Sequence, residues 1–163
     1  MNILKYLHLL TLIVWLGGMI LFSFVVTPSI FKILTREMAG TMVGNLFPKY
    51  FFIGYIASLF LLVTLWLIAH DYLHAVRVPF AILIVATALT FVSGMGVGAR
   101  AREAKAQMYA EQDVTKKEEL RKEFGKVHAV STILNVAIML LLLGYVWYVP
   151  AVLYPKDIQQ ARL

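Results

Sequence analysis

The chain has 163 residues, 61% hydrophobic and only 15% charged, with no cysteine and a formal net charge of +6. Roughly a quarter of a soluble domain is charged, so this balance excludes an ordinary soluble fold and points to one integral membrane domain, its apolar residues gathered in long runs. The missing cysteines exclude disulfide frameworks, iron–sulfur clusters and thiolate metal sites.

Between Lys5 and Pro28 nothing is permanently charged. A bilayer core takes about 20 apolar residues, so residues 5–27 read as the first span. The run exceeds a secretory h-region and no A-x-A-like site follows, so the span is expected to stay in the mature protein. His8 and Trp15, seven apart, share a helix face, and Gly17 and Gly18 are expected to cut a notch for a neighbouring helix. Residues 28–44 read as an amphipathic helix in the membrane plane, with Pro28 in its first turn and Ile30, Phe31, Ile33, Leu34, Met38 and Met42 on one face. Asn45–Pro48 reads as a turn.

The second span covers 49–69, with Gly54 and Ser58 as a small-xxx-small contact face. A polar link follows, His70 to Arg77. The third span covers 78–98 and carries the small pair Gly94 and Gly98. Residues 99–125 are strongly charged and read as two solvated helical arms of a hairpin, broken near Gln112–Val114. Thr115–Glu118 is a capping-box signature for the second arm. The fourth span, 126–149, is closed by Pro150 and Pro155. The predicted fold class is therefore all-α integral membrane: an antiparallel four-helix transmembrane bundle with an in-plane amphipathic helix and a cytoplasmic helical hairpin.

Four spans place both termini on one side. Lys5, Arg77, Lys156 and Arg162 lie with the termini, while the other eleven basic residues, from Lys32, Arg36 and Lys49 to the hairpin lysines and arginines, lie opposite. The positive-inside rule then puts the hairpin in the cytoplasm and both termini outside. The basic balance is a topology signal and a fit to anionic membrane lipids. No nucleic-acid partner is expected, because acidic residues interleave the basic ones along the hairpin.

His8, His70, Asp71 and His74 meet on the outer side in this topology. Three imidazoles and a carboxylate suit a transition metal such as zinc, copper or nickel; interfacial hydrogen bonding is the plainer explanation. His128, Ser131 and Asn135 follow i, i+3, i+7 spacing and face the bundle interior. They form either packing contacts or a polar pocket that Arg36 and Glu37 close from the in-plane helix. Trp66, Tyr145, Trp147, Tyr148 and Tyr154 read as an outer aromatic belt, whereas Trp15 is deep and reads as packed on small residues. No nucleophile–base arrangement and no intramembrane carboxylate pair names a reaction.

The string Lys5-Tyr-Leu-His8, Trp15-Leu-Gly-Gly18, Phe22, Thr27-Pro28, Phe31, Arg36, Gly40, Leu46-Phe-Pro48-Lys-Tyr50 resembles the bacterial family called domain of unknown function 4149, related to the transmembrane-protein-205-like proteins. Glu123-Phe-Gly-Lys-Val-His128, Ser131 and Asn135 look like the same family's last motif. The resemblance implies a four-span protein of the bacterial cytoplasmic (inner) membrane with no established reaction. The first span is also similar to copper-resistance-protein-D-like membrane domains through its His8-to-Gly18 pattern. More distantly it looks like the HemJ-type haem-binding oxidases. Two function classes follow: handling of a metal ion or haem through the outer histidines, or an accessory subunit that docks a larger membrane complex through the hairpin, with other membrane subunits or a second copy as partners.

Overall fold

A chain in hydrocarbon must satisfy its backbone polar groups internally, and uninterrupted helices do so. The computed structural model describes residues 3–155, and these form four long helices: α1 (Ile3–Ile33), α2 (Arg36–Tyr72), α3 (Arg77–Ala110) and α4 (Val114–Leu153). Each is long and apolar enough to cross a membrane. Lys156 and Arg162 lie outside the described residues.

The prolines do not end the helices as their sequence context predicts. Proline lacks an N–H, and its ring crowds the carbonyl four residues back. In α1 the turn before Pro28, Phe22–Val26, widens into a π-helix in which the Thr27 N–H reaches back to Phe22 O. The extra residue in that turn gives the ring room, and the helix continues to Ile33. The chain breaks later, at Leu34, whose backbone is extended (φ −101°, ψ 156°). Thr35 then caps α2, its hydroxyl accepting from the Met38 N–H at 3.4 Å. The separate in-plane helix expected over 28–44 is therefore divided: its first residues finish α1 and its last ones open α2. The turn expected at Asn45–Pro48 is helical too, with Pro48 inside α2.

α3 carries a second π-turn, Val92–Val97, in which the Gly98 N–H bonds Ser93 O. α4 is capped by Asp113, whose Oδ1 accepts from the Thr115 and Lys116 N–H groups at 2.9 and 3.0 Å. The cap thus sits two residues ahead of the predicted capping box, because a carboxylate in the 111–113 connection reaches those amides first.

α1 packs on α2, α2 on α3, and α3 along α4 through both its apolar part and the stretch after Gly98; α4 returns to α1 more lightly. Leu61, Leu65, Leu83, Ala86 and Leu142 fill the centre with no exposed surface. Two lysines tie the ends. The Lys5 Nζ donates to Leu153 O and the Tyr72 hydroxyl donates to Val152 O at 2.8 Å, so carbonyls in the last turn of α4 find partners on α1 and α2. At the other end the Lys105 Nζ donates to Gly40 O. It passes over Gly40 and Gly44, where a Cβ would stand 3.5 and 3.2 Å from its ammonium nitrogen. The outside of the bundle is apolar: Ile13, Phe24, Ile133, Leu140 and Trp147 are all exposed, as helices in contact with lipid require.

Candidate functional site

One buried stripe on α1 runs through His8, Leu12, Trp15, Leu16 and Met19. Its polar members anchor two different groups of side chains.

His8 is fully buried. Its Nδ1 lies 2.7 Å from Thr64 Oγ1 on α2, and its Nε2 lies 2.7 Å from the Tyr145 hydroxyl on α4. Thr64 gives its own proton to backbone oxygen, 2.8 Å from Phe60 O and 3.2 Å from Leu61 O. The proton order is therefore fixed by elimination. Tyr145 O–H donates to Nε2, Nδ1–H donates to Thr64, and Thr64 donates to the backbone. This chain satisfies a neutral imidazole completely and leaves it no free lone pair.

The structure does not bring His8 together with His70, Asp71 and His74. His70 and Asp71 form an exposed pair at 3.2 Å, with the other His70 nitrogen 3.2 Å from Leu67 O. His74 is exposed. Among the described residues no group of three or more His, Asp or Glu side chains is arranged to hold a metal. A metal or haem iron needs a nitrogen lone pair, and His8, the buried member of the predicted set, spends its lone pair on Tyr145. Tyr145 itself is no belt residue; it points inward, while Trp66, Trp147 and Tyr154 are exposed.

The predicted polar pocket separates into pieces. Asn135 is the member that reaches other helices: its Oδ1 accepts from the Tyr50 hydroxyl at 2.5 Å, and its Nδ2 donates to Ser23 Oγ at 3.0 Å. His128 is exposed and stacks on Phe124 of its own helix, with centroids 5.8 Å apart. Ser131 is half-buried, and Arg36 and Glu37 are exposed on the first turn of α2. Among the described residues no hydrogen bond or ion pair joins His128, Ser131, Arg36 or Glu37 to Asn135.

The Tyr50–Asn135–Ser23 link borders a cavity of about 350 Å³ between α1 and α2, backed by Thr90 of α3 and Ile138 of α4. That is within the usual size range of small-molecule sites. Trp15, Phe22, Tyr50 and Phe51 give it aromatic walls. Phe22 stacks on Tyr50 at 4.9 Å, and Phe51 meets Tyr50 edge-on at 5.2 Å. Gly54 leaves room for the Trp15 indole, whose Nε1 is 3.4 Å from where a Cβ on that glycine would stand. Gly18 also lines the cavity, and a Cβ there would meet nothing within 4 Å. Gly17 likewise faces open space, so the expected Gly17–Gly18 notch for a neighbouring helix is not present; the space beside Gly18 is the cavity. Gly94 is different. A Cβ there would collide with the Tyr55 hydroxyl and stand 2.8 Å from Phe51 Cγ. At Gly98 a Cβ would stand 3.0 Å from Ser93 O, and Ser58 is buried with its hydroxyl donating to Tyr55 O at 3.0 Å.

The cavity itself, and the partners of His8 and Asn135, escaped the sequence analysis. A signal existed for the partners. Asn135, Ile138, Leu142 and Tyr145 follow i, i+3, i+7, i+10 spacing, which puts Tyr145 on the inner face of α4. Likewise Tyr50, Gly54, Ala57, Leu61 and Thr64 form one stripe of α2.

The model of a family described as "Domain of unknown function (DUF4149)" matches residues 10–110. That stretch holds the α1, α2 and α3 walls of the cavity but neither His8 nor Asn135. The chain is 47% identical over 58 residues to an uncharacterised protein of Aquifex aeolicus (strain VF5), a match covering 34% of this chain and 42% of that protein. The chain thus spans less than half the length of this relative. No solved structure matches it.

Proposed function

The chain belongs to the DUF4149 family of unknown function, and from that premise we propose that it is a multi-pass membrane protein that binds a lipid-soluble molecule in the cavity between α1 and α2. The observation that carries this reading is where the cavity opens. Val14, Leu21 and Ile53 line it and are themselves more than half exposed. An aromatic cavity whose rim is exposed and apolar takes its guest from hydrocarbon, not from water. In this reading the four helices run antiparallel, and the guest enters sideways from the bilayer.

The test is solvent extraction of protein purified in mild detergent, followed by mass spectrometry of the extract. A single lipid-soluble species at up to one per chain is expected. Gly18 lines the cavity and a Cβ there meets nothing within 4 Å, so Gly18→Leu puts its side chain into the cavity space; it should lose that species and keep the wild-type melting temperature. Recovery of the same amount from the variant would overturn the proposal.

One observation favours the accessory-subunit reading as a companion. α3 and α4 stay packed together past Gly98, where the sequence is charged, which gives a larger complex a polar helical pair to hold. Replacing residues 103–121 with a short glycine linker should then release a co-purifying membrane partner on native gels; an unchanged band would remove this reading.

A further inference from the structure

The polar groups of the cavity are nearly all spoken for. The Tyr50 proton goes to Asn135, an Asn135 amide proton goes to Ser23, and the Thr90 proton goes to Ala86 O at 2.7 Å. Among the buried side chains of the wall Trp15 is the exception. It is 3% exposed, it lines the cavity, and its indole N–H has no hydrogen-bond partner among the described residues. An indole nitrogen is a donor only; among the described residues the fully enclosed side-chain polar atom without a partner is Ser93 Oγ, so the Trp15 nitrogen keeps some accessible surface, and a donor left without an acceptor costs free energy. No carboxylate lines the cavity, and its single charge, Lys49, is exposed. A cationic guest would find no counter-charge there, and an anionic one would find it only at Lys49. Four aromatic side chains form the wall, and the two glycines of the cavity, Gly18 and Gly54, leave flat surface between them. Rings of that kind prefer another ring, offset-stacked or edge-on.

Resting on the reading that the cavity holds a guest from the bilayer, we infer that this guest is an uncharged molecule with a flat ring bearing a carbonyl-type acceptor and an alkyl or isoprenoid chain. The acceptor takes the Trp15 indole N–H, the ring lies among Trp15, Phe22, Tyr50 and Phe51, and the chain leaves past Val14, Leu21 and Ile53.

Native mass spectrometry from detergent tests this with three probes of similar chain length: decylubiquinone, with ring and carbonyls; decylbenzene, with the ring alone; and methyl laurate, with the carbonyl alone. Decylubiquinone should bind one per chain, and decylbenzene about tenfold more weakly, the ratio that one net hydrogen bond supplies. Methyl laurate should also bind more weakly than the quinone. Trp15→Phe keeps a ring and removes the donor, so it should bring the quinone down to decylbenzene and leave decylbenzene unchanged. The probe comparison on the unaltered protein stands even where that variant folds poorly. Decylbenzene or methyl laurate binding as tightly as the quinone would overturn the inference while leaving the cavity as a site, provided Gly18→Leu still blocks them. Binding of all three probes to Gly18→Leu, or of none to the native chain, would overturn this inference and the proposed function together.

Discussion

The intramembrane histidine shows why a residue's chemistry has to be read with its partners. In the sequence His8 is an ionisable group within a span, which is a functional candidate by default. In the structure it is the middle of a proton-ordered chain from Tyr145 to Thr64 to backbone oxygen. Removing the Tyr145 hydroxyl leaves the His8 Nε2 buried with no donor. Tyr145→Phe is therefore expected to cost about 1–3 kcal/mol, measured as lost thermal stability in detergent, while Tyr148→Phe, half-buried on the same helix, should be near neutral. The glycines divide as sharply. Gly94→Ala places a methyl group on Tyr55 and Phe51 and should cost about 1–3 kcal/mol through overpacking, whereas Gly18→Ala should leave the melting temperature alone. Composition did not distinguish these two glycines, because a small residue is equally suited to a tight helix contact and to an open cavity wall.

At the scale of elements, the apolar runs were legible and their junctions were not. A span announces itself by twenty residues without charge, and the four predicted spans fall inside the four helices. The stretch from Pro28 to Gly44 has an amphipathic pattern that serves an in-plane helix or the ends of two crossing helices equally well. What decides between them is a π-turn at Phe22–Val26 and an extended Leu34, neither of which leaves a strong mark in composition. Lys105 is the tie that holds the resulting first turns of α2, through Gly40 O. Lys105→Ala should leave that carbonyl without its partner, and amides 38–45 should then exchange hydrogen faster than in the native chain. Unchanged exchange there would mean that α1 alone holds the start of α2. At the start of α4, Asp113→Ala removes a cap that satisfies two amides. It should cost about 1 kcal/mol and speed protease cutting in the exposed 111–113 connection.

For the whole molecule the remaining question is which end faces the cytoplasm, and charge argues it. Lys5, Tyr72 and Leu153 meet at one end, so the start of α1, the end of α2 and the end of α4 share a side. Gly40 and Lys105 meet near the other, together with the 111–113 connection that follows α3. The second end owns most of the basic residues: Lys32, Arg36, Arg100, Arg102 and Lys105, and the lysines and arginines that open α4. Loops rich in Lys and Arg stay on the cytoplasmic side, so the 111–113 connection should be inside and the 73–76 connection outside. The native chain has no cysteine, so a single introduced thiol reports its own position without background. Ala75, exposed in the 73–76 connection, serves for the outer face. A membrane-impermeant maleimide added to intact cells should label Ala75→Cys and leave Gln112→Cys unlabelled until the cells are opened. Labelling of position 112 alone on intact cells would invert the molecule. It would also move Lys49 from the cytoplasmic half of the bilayer to the outer half, and with it the charged edge of the cavity.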